Sequence, residues 1–332
     1  MLKAAVIGLG WWGKQITTCL AGSQHISITH GVDMAPQTVE GFAREHGLHL
    51  ATSFDDVLAD RSVEAVIIAT PHSQHEVQVL KAVAAGKQVF CEKPLALTAA
   101  GAERMLEASE RAGIVLGIGH ERRFEPAMEY VLRAVASGEL GQILHLEANV
   151  SHNLFASLDA SNWRVGAKDA PAGAMTALGI HVTDLFISFV GRPLAVQAKT
   201  AKVLQSVAGV DHVSAQIEFA CGATAALTCL SSTPFHGRMA VYGTHGWIEV
   251  REKGNVDKGL PTDLVRADAQ GDRTTTSYPA TNTVLANLES WAQAAAGHGR
   301  YRFTRDQLLD NIRVLEAIVA SASEGSKRIV LG

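Results

Sequence analysis

Cysteine is scarce and unpatterned. The four residues Cys19, Cys91, Cys221 and Cys229 contain no CxxC spacing and belong to no His/Cys cluster, which argues against a structural zinc site and a disulfide framework. They read as reduced core thiols, and no metal site is expected. Clustered positive charge is lacking too: no basic run exceeds pairs such as Arg122-Arg123, and 29 basic against 33 acidic residues leave a formal charge of −4. Without a basic footprint, DNA and RNA are not expected as partners. No stretch reaches the roughly 18 uninterrupted apolar residues of a membrane span. The opening apolar run from Met1 breaks at Gly8, too early for a signal peptide, so a cytoplasmic location away from membranes is expected. Repeats and low-complexity tracts are missing as well. What remains is an ordinary globular composition, 332 residues with 47% apolar and 19% charged, long enough for about two domains at roughly 100–200 residues each.

The first 120 residues alternate short β-branched runs with amphipathic, alanine-rich segments, the pattern of repeated βαβ units on a parallel sheet. Strands are predicted at 4–7, 26–32, 49–51, 65–69, 88–91 and 115–118, and helices at 14–21, 35–46 and 75–85, the last two ending at Gly47 and Gly86. After about residue 122 the pattern changes. A helix over 126–137, a strand at 143–151 and a polar loop over 153–171 precede a helix over 175–190. Strands at 195–204, 213–220, 223–230, 238–242 and 247–250 follow, with hairpin turns at Cys221-Gly222 and at Gly243-Thr244-His245-Gly246. The stretch 251–277 reads as loop and short edge strands, and helices at 283–296 and 305–324 close the chain.

Directly after the first strand comes Gly8-Leu9-Gly10-Trp11-Trp12-Gly13, a full GxGxxG opening a helix. The glycines serve a tight turn, close approach of backbone N–H groups to a pyrophosphate, and helix-to-strand packing. The helix N-terminus adds partial positive charge. Asp33 ends the second strand, 20 residues beyond Gly13. There it would accept hydrogen bonds from ribose hydroxyls and repel a 2′-phosphate, favouring NAD over NADP; a solvated loop aspartate is the alternative. Trp11 and Trp12 divide between packing under the sheet and covering a cofactor edge, with nothing to say which does which. The predicted fold class is therefore α/β: an N-terminal Rossmann dinucleotide-binding domain over 1–121, then an α+β domain with a large, mostly antiparallel open sheet over 122–332. The closing helices are expected to pack back on the first domain.

Two further segments end strands on the side where open α/β sheets bind ligands. Ala69-Thr70-Pro71-His72-Ser73-Gln74-His75 follows the fourth strand and Cys91-Glu92-Lys93-Pro94-Leu95 the fifth. A lysine in that place suits proton transfer, its proton affinity lowered by desolvation and by an oxidised nicotinamide.

These motifs, together with Arg122-Arg123-Phe124, Pro126 and Gly173…Leu178-Gly179-Ile180-His181…Asp184, resemble the glucose-fructose oxidoreductase/inositol dehydrogenase/rhizopine-catabolism (Gfo/Idh/MocA) family over essentially the whole chain. The resemblance implies an NAD(P)-dependent oxidoreductase acting on a secondary alcohol of a sugar, cyclitol or related polyol. Lys93 would match the family lysine that exchanges the hydroxyl proton, and His181 the histidine that assists it. Cofactor contacts are implied at Gly8, Gly10, Trp11, Trp12, Gly13, Asp33, Thr70, Pro71, His75, Glu92 and Lys93. One departure stands out: many members carry an aspartate four residues before the histidine, where this chain has Ala177. Either Lys93 and His181 suffice without it, or Asp184 contributes the acid and is a candidate substrate contact; capping or bracing its helix is the alternative for Asp184. Arg123 is a candidate for substrate binding or for an interdomain ion pair. His152, Trp163 and Arg164 are further substrate candidates, since a Trp beside an Arg can stack on a sugar face and hydrogen-bond its hydroxyls or a carboxylate. Two other functions stay open: internal redox on a tightly held NAD, and a non-catalytic dinucleotide-sensing regulator. Relatives commonly pair the open faces of their second-domain sheets, so a homodimer or homotetramer is expected.

Overall fold

Short apolar runs bounded by glycine become the strands of the first sheet: β1 (Leu2–Ile7), β2 (Ile26–Val32), β3 (His49–Leu50), β4 (Ala65–Ile68), β5 (Gln88–Cys91) and β6 (Leu116–Ile118). Their order is β3-β2-β1-β4-β5-β6 and every neighbouring pair is parallel. All four residues of β4 are buried, as expected for a central strand covered on both faces. The strand order reverses at β1, which opens a crevice at the carboxyl ends of β1 and β4. The crossovers carry α1 (Trp11–Cys19), α2 (Glu40–Glu45), α3 (Phe54–Ala59), α4 (His75–Ala84) and α5 (Ala99–Ala112). The single helix predicted over 35–46 is interrupted: Pro36 starts a 3₁₀ turn over Pro36–Thr38, and Val39 at φ −120° breaks the helical path before α2.

This is a computed structural model that describes residues 1–153, 158–159, 161–204, 206 and 209–332. The polar loop predicted over 153–171 therefore lies partly outside the described residues. Beyond α6 (Pro126–Ala136) and β7 (Ile143–Ser151), a π-helical turn at Met175–Gly179 leads into α7 (Ile180–Val190). Then come β8 (Pro193–Ala201), β9 (His212–Phe219), β10 (Thr224–Leu230), β11 (His236–Gly243), β12 (Gly246–Glu252), β13 (Thr262–Ala267) and β14 (Arg273–Tyr278), followed by α8 (Thr283–Ala295), α9 (Arg305–Ser323) and β15 (Ile329–Val330).

Nine strands form the second sheet in the order β14-β13-β12-β11-β7-β10-β9-β8-β15. Pairing is antiparallel except between β10 and β7. Alternation explains its two faces: on β9, Val213, Ala215, Ile217 and Phe219 are buried while Ser214, Gln216 and Glu218 are not. Gly222, at φ +90°, turns β9 into β10.

The chain divides into two units, Met1–Glu121 with Asn282–Arg305, and Arg122–Thr281 with Asp306–Gly332. Only one closing helix thus joins the first unit: α8 belongs there, whereas α9 beyond Arg305 belongs to the second. Leu288, Trp291 and Ala292 of α8 lie in the first unit's core, and Trp291 is the largest of these anchors. Trp291 is fully buried, lies edge-on to Phe90 at 5.5 Å, and donates its indole N–H to Val115 O at 2.8 Å. Burying a ring of that size removes roughly 150–250 Å² from water, on the order of 5 kcal/mol before ordering costs. Gly117 leaves room for it, since a Cβ there would lie 2.7 Å from the indole.

Candidate dinucleotide and catalytic site

The turn after β1 is built to let something approach its backbone. Gly8 adopts φ +94°, and a Cβ on it would meet Ala69 O at 2.8 Å; a Cβ on Gly13 would lie 1.9 Å from Gly8 O. Both positions exclude any side chain, the first by conformation and contact, the second by helix-to-strand packing. Gly10 differs, since a Cβ added there would have nothing within 4 Å. Gly10 caps α1 without a side-chain hydrogen bond, so the N-terminal amides and the positive end of the helix dipole face open space. This donor set fits a pyrophosphate. The loop is held from behind by Asp33, whose Oδ2 accepts from Leu9 N–H and whose Oδ1 accepts from Ala35 N–H, both at 2.9 Å. Each oxygen retains a further lone-pair direction for a hydroxyl. The two tryptophans separate cleanly: Trp12 packs against the first unit's core, while Trp11 is 53% exposed, with ring centroids 5.3 Å apart.

At the carboxyl end of β4, Thr70 donates its hydroxyl to Gln78 Oε1 at 2.6 Å. His75, expected among the cofactor contacts, is instead fully buried: Nδ1 lies 2.8 Å from Pro94 O and Nε2 3.1 Å from Thr70 O. It ties the start of α4 to the Thr70 and Pro94 loops and so positions their backbones. The Lys93–Pro94 peptide bond is cis. Lys93 is half-buried, and its backbone N–H donates to Glu92 Oε2 at 3.3 Å. Glu92 itself is only 7% exposed. Burial and the neighbouring Glu121 carboxylate push it up to about 7, against opposing pulls from the Trp12 indole and Lys93. The Trp12 indole N–H is buried and makes no full hydrogen bond among the described residues. Within the first unit, then, Gly8, Gly10, Gly13, Asp33, Thr70, Pro71, Glu92 and Lys93 gather at the carboxyl ends of β1, β2, β4 and β5. Glu121 was not singled out from the sequence. Its signal was available, because parallel strands ending at 91 and 118 bring the residues that follow them together.

In the second unit, His181 lies in the first turn of α7 and is 7% exposed. The preceding π turn is closely packed: a Cβ on Gly179 would lie 2.5 Å from Met175 Sδ and 2.9 Å from Cys229 Sγ. Such turns often re-aim side chains at functional sites. Asn311 of α9 anchors the helix, donating to Ile180 O at 3.1 Å and accepting from Thr183 Oγ1 at 2.6 Å.

Arg123 and Asp184, both candidates for substrate contact, are committed to each other. Arg123 Nε donates to Asp184 Oδ2 at 2.7 Å and Nη2 to Oδ1 at 2.6 Å, both residues are buried, and Nη1 donates to Gln307 Oε1 at 2.8 Å. The pair ties the segment after β6 to α7 inside the second unit, the geometry of a brace. Arg164 differs: its guanidinium stacks 4.2 Å over the Trp163 ring, burial lowers its proton affinity, and it meets no carboxylate among the described residues. His152, at the end of β7, stands edge-on to Phe235 at 5.8 Å, and burial pushes its pKa down. His152 Nδ1 and Ser231 Oγ are buried without a hydrogen-bond partner among the described residues; Ser231 was missed from sequence. No cluster of three or more metal-ligating side chains occurs among the described residues, and no helix among them is long and apolar enough to cross a membrane.

The fold and the loop after β1 define a dinucleotide-binding protein. Comparison with known proteins is in agreement. The family described as "Oxidoreductase family, NAD-binding Rossmann fold" matches residues 2–120, and the "GFO/IDH/MocA C-terminal domain" matches residues 128–249. The chain belongs to the Gfo/Idh/MocA family of oxidoreductases. It is 30% identical over 290 residues to a 1,5-anhydro-D-fructose reductase of Ensifer adhaerens, covering 86% of this chain and 85% of that one. It is 30% identical over 275 residues to a D-xylose 1-dehydrogenase (NADP(+)) of Haloferax volcanii, covering 82% of each. Among solved structures, an aldose-aldose oxidoreductase from Caulobacter crescentus complexed with glycerol superposes with TM-score 0.88 at 26% identity, covering 99% of both chains. A levoglucosan dehydrogenase in complex with NADH and levoglucosan shares the fold at TM-score 0.87 and 23% identity, again covering 99% of both.

Proposed function

We propose that the protein is an NAD-dependent dehydrogenase or reductase that interconverts a secondary alcohol of a sugar, cyclitol or related polyol with its carbonyl. The observation that carries this reading is Lys93 after the carboxyl end of β5, in the same unit and at the same carboxyl end of the sheet as the Gly10 loop. The amides of the Gly8–Gly13 turn hold the pyrophosphate, and Asp33 takes the ribose hydroxyls. When bound, the nicotinamide supplies a two-electron hydride acceptor or donor. Lys93 Nζ takes the substrate hydroxyl proton in the oxidative direction and returns it in the reductive one. His181 hydrogen-bonds the same oxygen. Asp33 favours NAD because a second negative charge beside it is repelled. Arg164 with Trp163, together with His152, supplies substrate contacts, since a stacked guanidinium with no carboxylate partner among the described residues retains donors for hydroxyl or carboxylate oxygens.

A second reading, internal redox on a retained cofactor, is favoured by the likeness to an aldose-aldose oxidoreductase. One experiment separates the two: a panel of sugars, cyclitols and sugar acids assayed for NAD and NADP reduction, with cofactor content measured after purification. Net NADH formation supports the dehydrogenase. Retained cofactor without net reduction supports internal redox, and the absence of both refutes each. The half-buried face of the nine-stranded sheet, with small residues such as Ser214, Ala226 and Thr228, supports the reading of a homodimer or homotetramer.

A further inference from the structure

Two buried polar atoms of the second unit without a hydrogen-bond partner among the described residues, His152 Nδ1 and Ser231 Oγ, follow directly on neighbouring strands. β7 and β10 run parallel in a register that sets Asn149 beside Thr228. Carried on along both strands, that register sets His152 beside Ser231, and His152 N–H donates to Leu230 O at 2.9 Å as the continued ladder requires. Paired strands keep such neighbours about 5 Å apart. Alternation puts both side chains on one face of the sheet, the face on which Val150 and Cys229 are buried. On the other side of β7, Phe235 stands edge-on to His152 at 5.8 Å.

The groups that flank Ser231 are engaged elsewhere. Its N–H donates to Asp211 O at 3.0 Å, while the Asp211 carboxylate accepts from Val203 N–H at 2.7 Å, Leu204 N–H at 2.9 Å and Ser232 Oγ at 3.4 Å. Ser151 Oγ donates to Asn149 Oδ1 at 2.6 Å and accepts from Leu230 N–H at 3.1 Å. Ser231 is fully buried, and a hydroxyl held away from water with no partner destabilises a fold. An alanine would fill the same place without that cost. Burial also lowers the proton affinity of His152, which favours the neutral ring, with one nitrogen donating and the other accepting. The π turn that leads into His181 packs on this same face, since a Cβ on Gly179 would lie 2.9 Å from Cys229 Sγ.

We propose that Ser231 and His152 together hold a second hydroxyl of the substrate, separate from the one that His181 meets, so that the site takes polyhydroxylated substrates in preference to simple secondary alcohols. A hydroxyl both donates and accepts. A serine beside a neutral imidazole offers both complements and no charge, which suits a hydroxyl rather than a carboxylate or phosphate. A site whose buried polar groups are paired only by a substrate hydroxyl discriminates against the analogue that lacks it, because those groups are then left unpaired. The pair deepens the dehydrogenase reading given above and rests on it.

The test uses the full chain, the variants Ser231→Ala and His152→Phe, and the best substrate of the sugar and polyol panel with those of its monodeoxy analogues that keep the reacting hydroxyl. In the wild type one analogue should lose about tenfold or more in kcat/KM, marking the hydroxyl that the pair holds. Ser231→Ala should lose about tenfold on the parent substrate and almost nothing on that analogue, the pattern of one missing hydrogen bond; His152→Phe should show the same pattern. Without ligand, Ser231→Ala should melt at the wild-type temperature or above it, because no bond is lost in the free protein. A wild type that turns over every analogue as well as the parent, a Ser231→Ala variant that melts lower, or one whose loss is nil or equal on parent and analogues overturns the proposal. If no panel compound is turned over, the dehydrogenase reading fails by itself, and saturation-transfer NMR with D-glucose, myo-inositol and glycerol decides the pair. It stands if one of these binds the wild type and binds Ser231→Ala more weakly, and it falls otherwise.

Discussion

Replacing Asp184 by alanine should destabilise the second unit severely without acting through substrate. Its carboxylate receives two charge-assisted hydrogen bonds from Arg123, at 2.6 and 2.7 Å, with relative exposures of 1% for Asp184 and 6% for Arg123. Removing one member of a buried pair leaves the other charge uncompensated, a cost of about 3–5 kcal/mol, against a total stability of about 5–15 kcal/mol for a typical domain. The bonds from Arg123 Nη1 to Gln307 Oε1 and from Nη2 to the backbone carbonyl of residue 184 survive the substitution but carry no negative charge, so a large part of that cost should appear. The double variant Arg123→Met with Asp184→Leu removes both charges, and it should recover most of the loss, because apolar replacement of buried pairs is often neutral or stabilising. Urea unfolding at pH 7, read by circular dichroism and tryptophan fluorescence, compares both variants with the wild type. A loss below about 1 kcal/mol in Asp184→Ala, accompanied by a raised KM, would refute the brace and return the pair to substrate recognition.

Other expectations bear on the first unit. Gly13→Ala should abolish dinucleotide binding and lower stability, because its Cβ would lie 1.9 Å from Gly8 O; NADH fluorescence titration reads the first effect and thermal melting the second. Asp33→Ala should weaken NAD binding and narrow the preference for NAD over NADP, by about 1 kcal/mol or more for a hydrogen bond to a charged group; unchanged kcat/KM ratios for the two cofactors would count against its ribose role. For Glu92 the sign follows from its direction of shift. A carboxyl raised from 4.5 to about 7 on folding binds its proton more tightly when folded, so its contribution is favourable at low pH and is lost as pH climbs through that window. Glu92→Gln should therefore gain in urea midpoint over the wild type at pH 8 relative to pH 5, and the reverse trend would contradict the burial argument.

Much of the first unit was legible because its strands are marked locally. Runs such as Ala65–Ile68 are continuous and apolar, glycines punctuate them, and the GxGxxG and Asp33 mark the ends of β1 and β2. The prediction of a mostly antiparallel second sheet followed equally from alternation and hairpin turns. The parallel pairing of β10 with β7 had no local mark, since it joins segments some eighty residues apart and nothing in either strand names its partner. The departure of α8 from α9 into the other unit was hidden for the same reason: Trp291 reads as an ordinary helical apolar residue until Phe90 and Gly117 are seen beneath it. Candidate site residues divide along the same line. Glycines with a special conformation or close packing were readable, whereas the hydrogen-bond partners of His75, Arg123 and Asp184 were not, being carbonyls or side chains distant along the chain.

The central claim, that Lys93 exchanges the proton during hydride transfer, is tested most directly by single-turnover kinetics on Lys93→Ala with a substrate found in the panel. The variant should bind NADH with near wild-type affinity, since the turn amides and Asp33 hold the dinucleotide, while the rate of nicotinamide reduction falls by about 10²–10⁴-fold, the range of a lost general acid–base. A variant that reduces NAD at the wild-type rate contradicts the assignment.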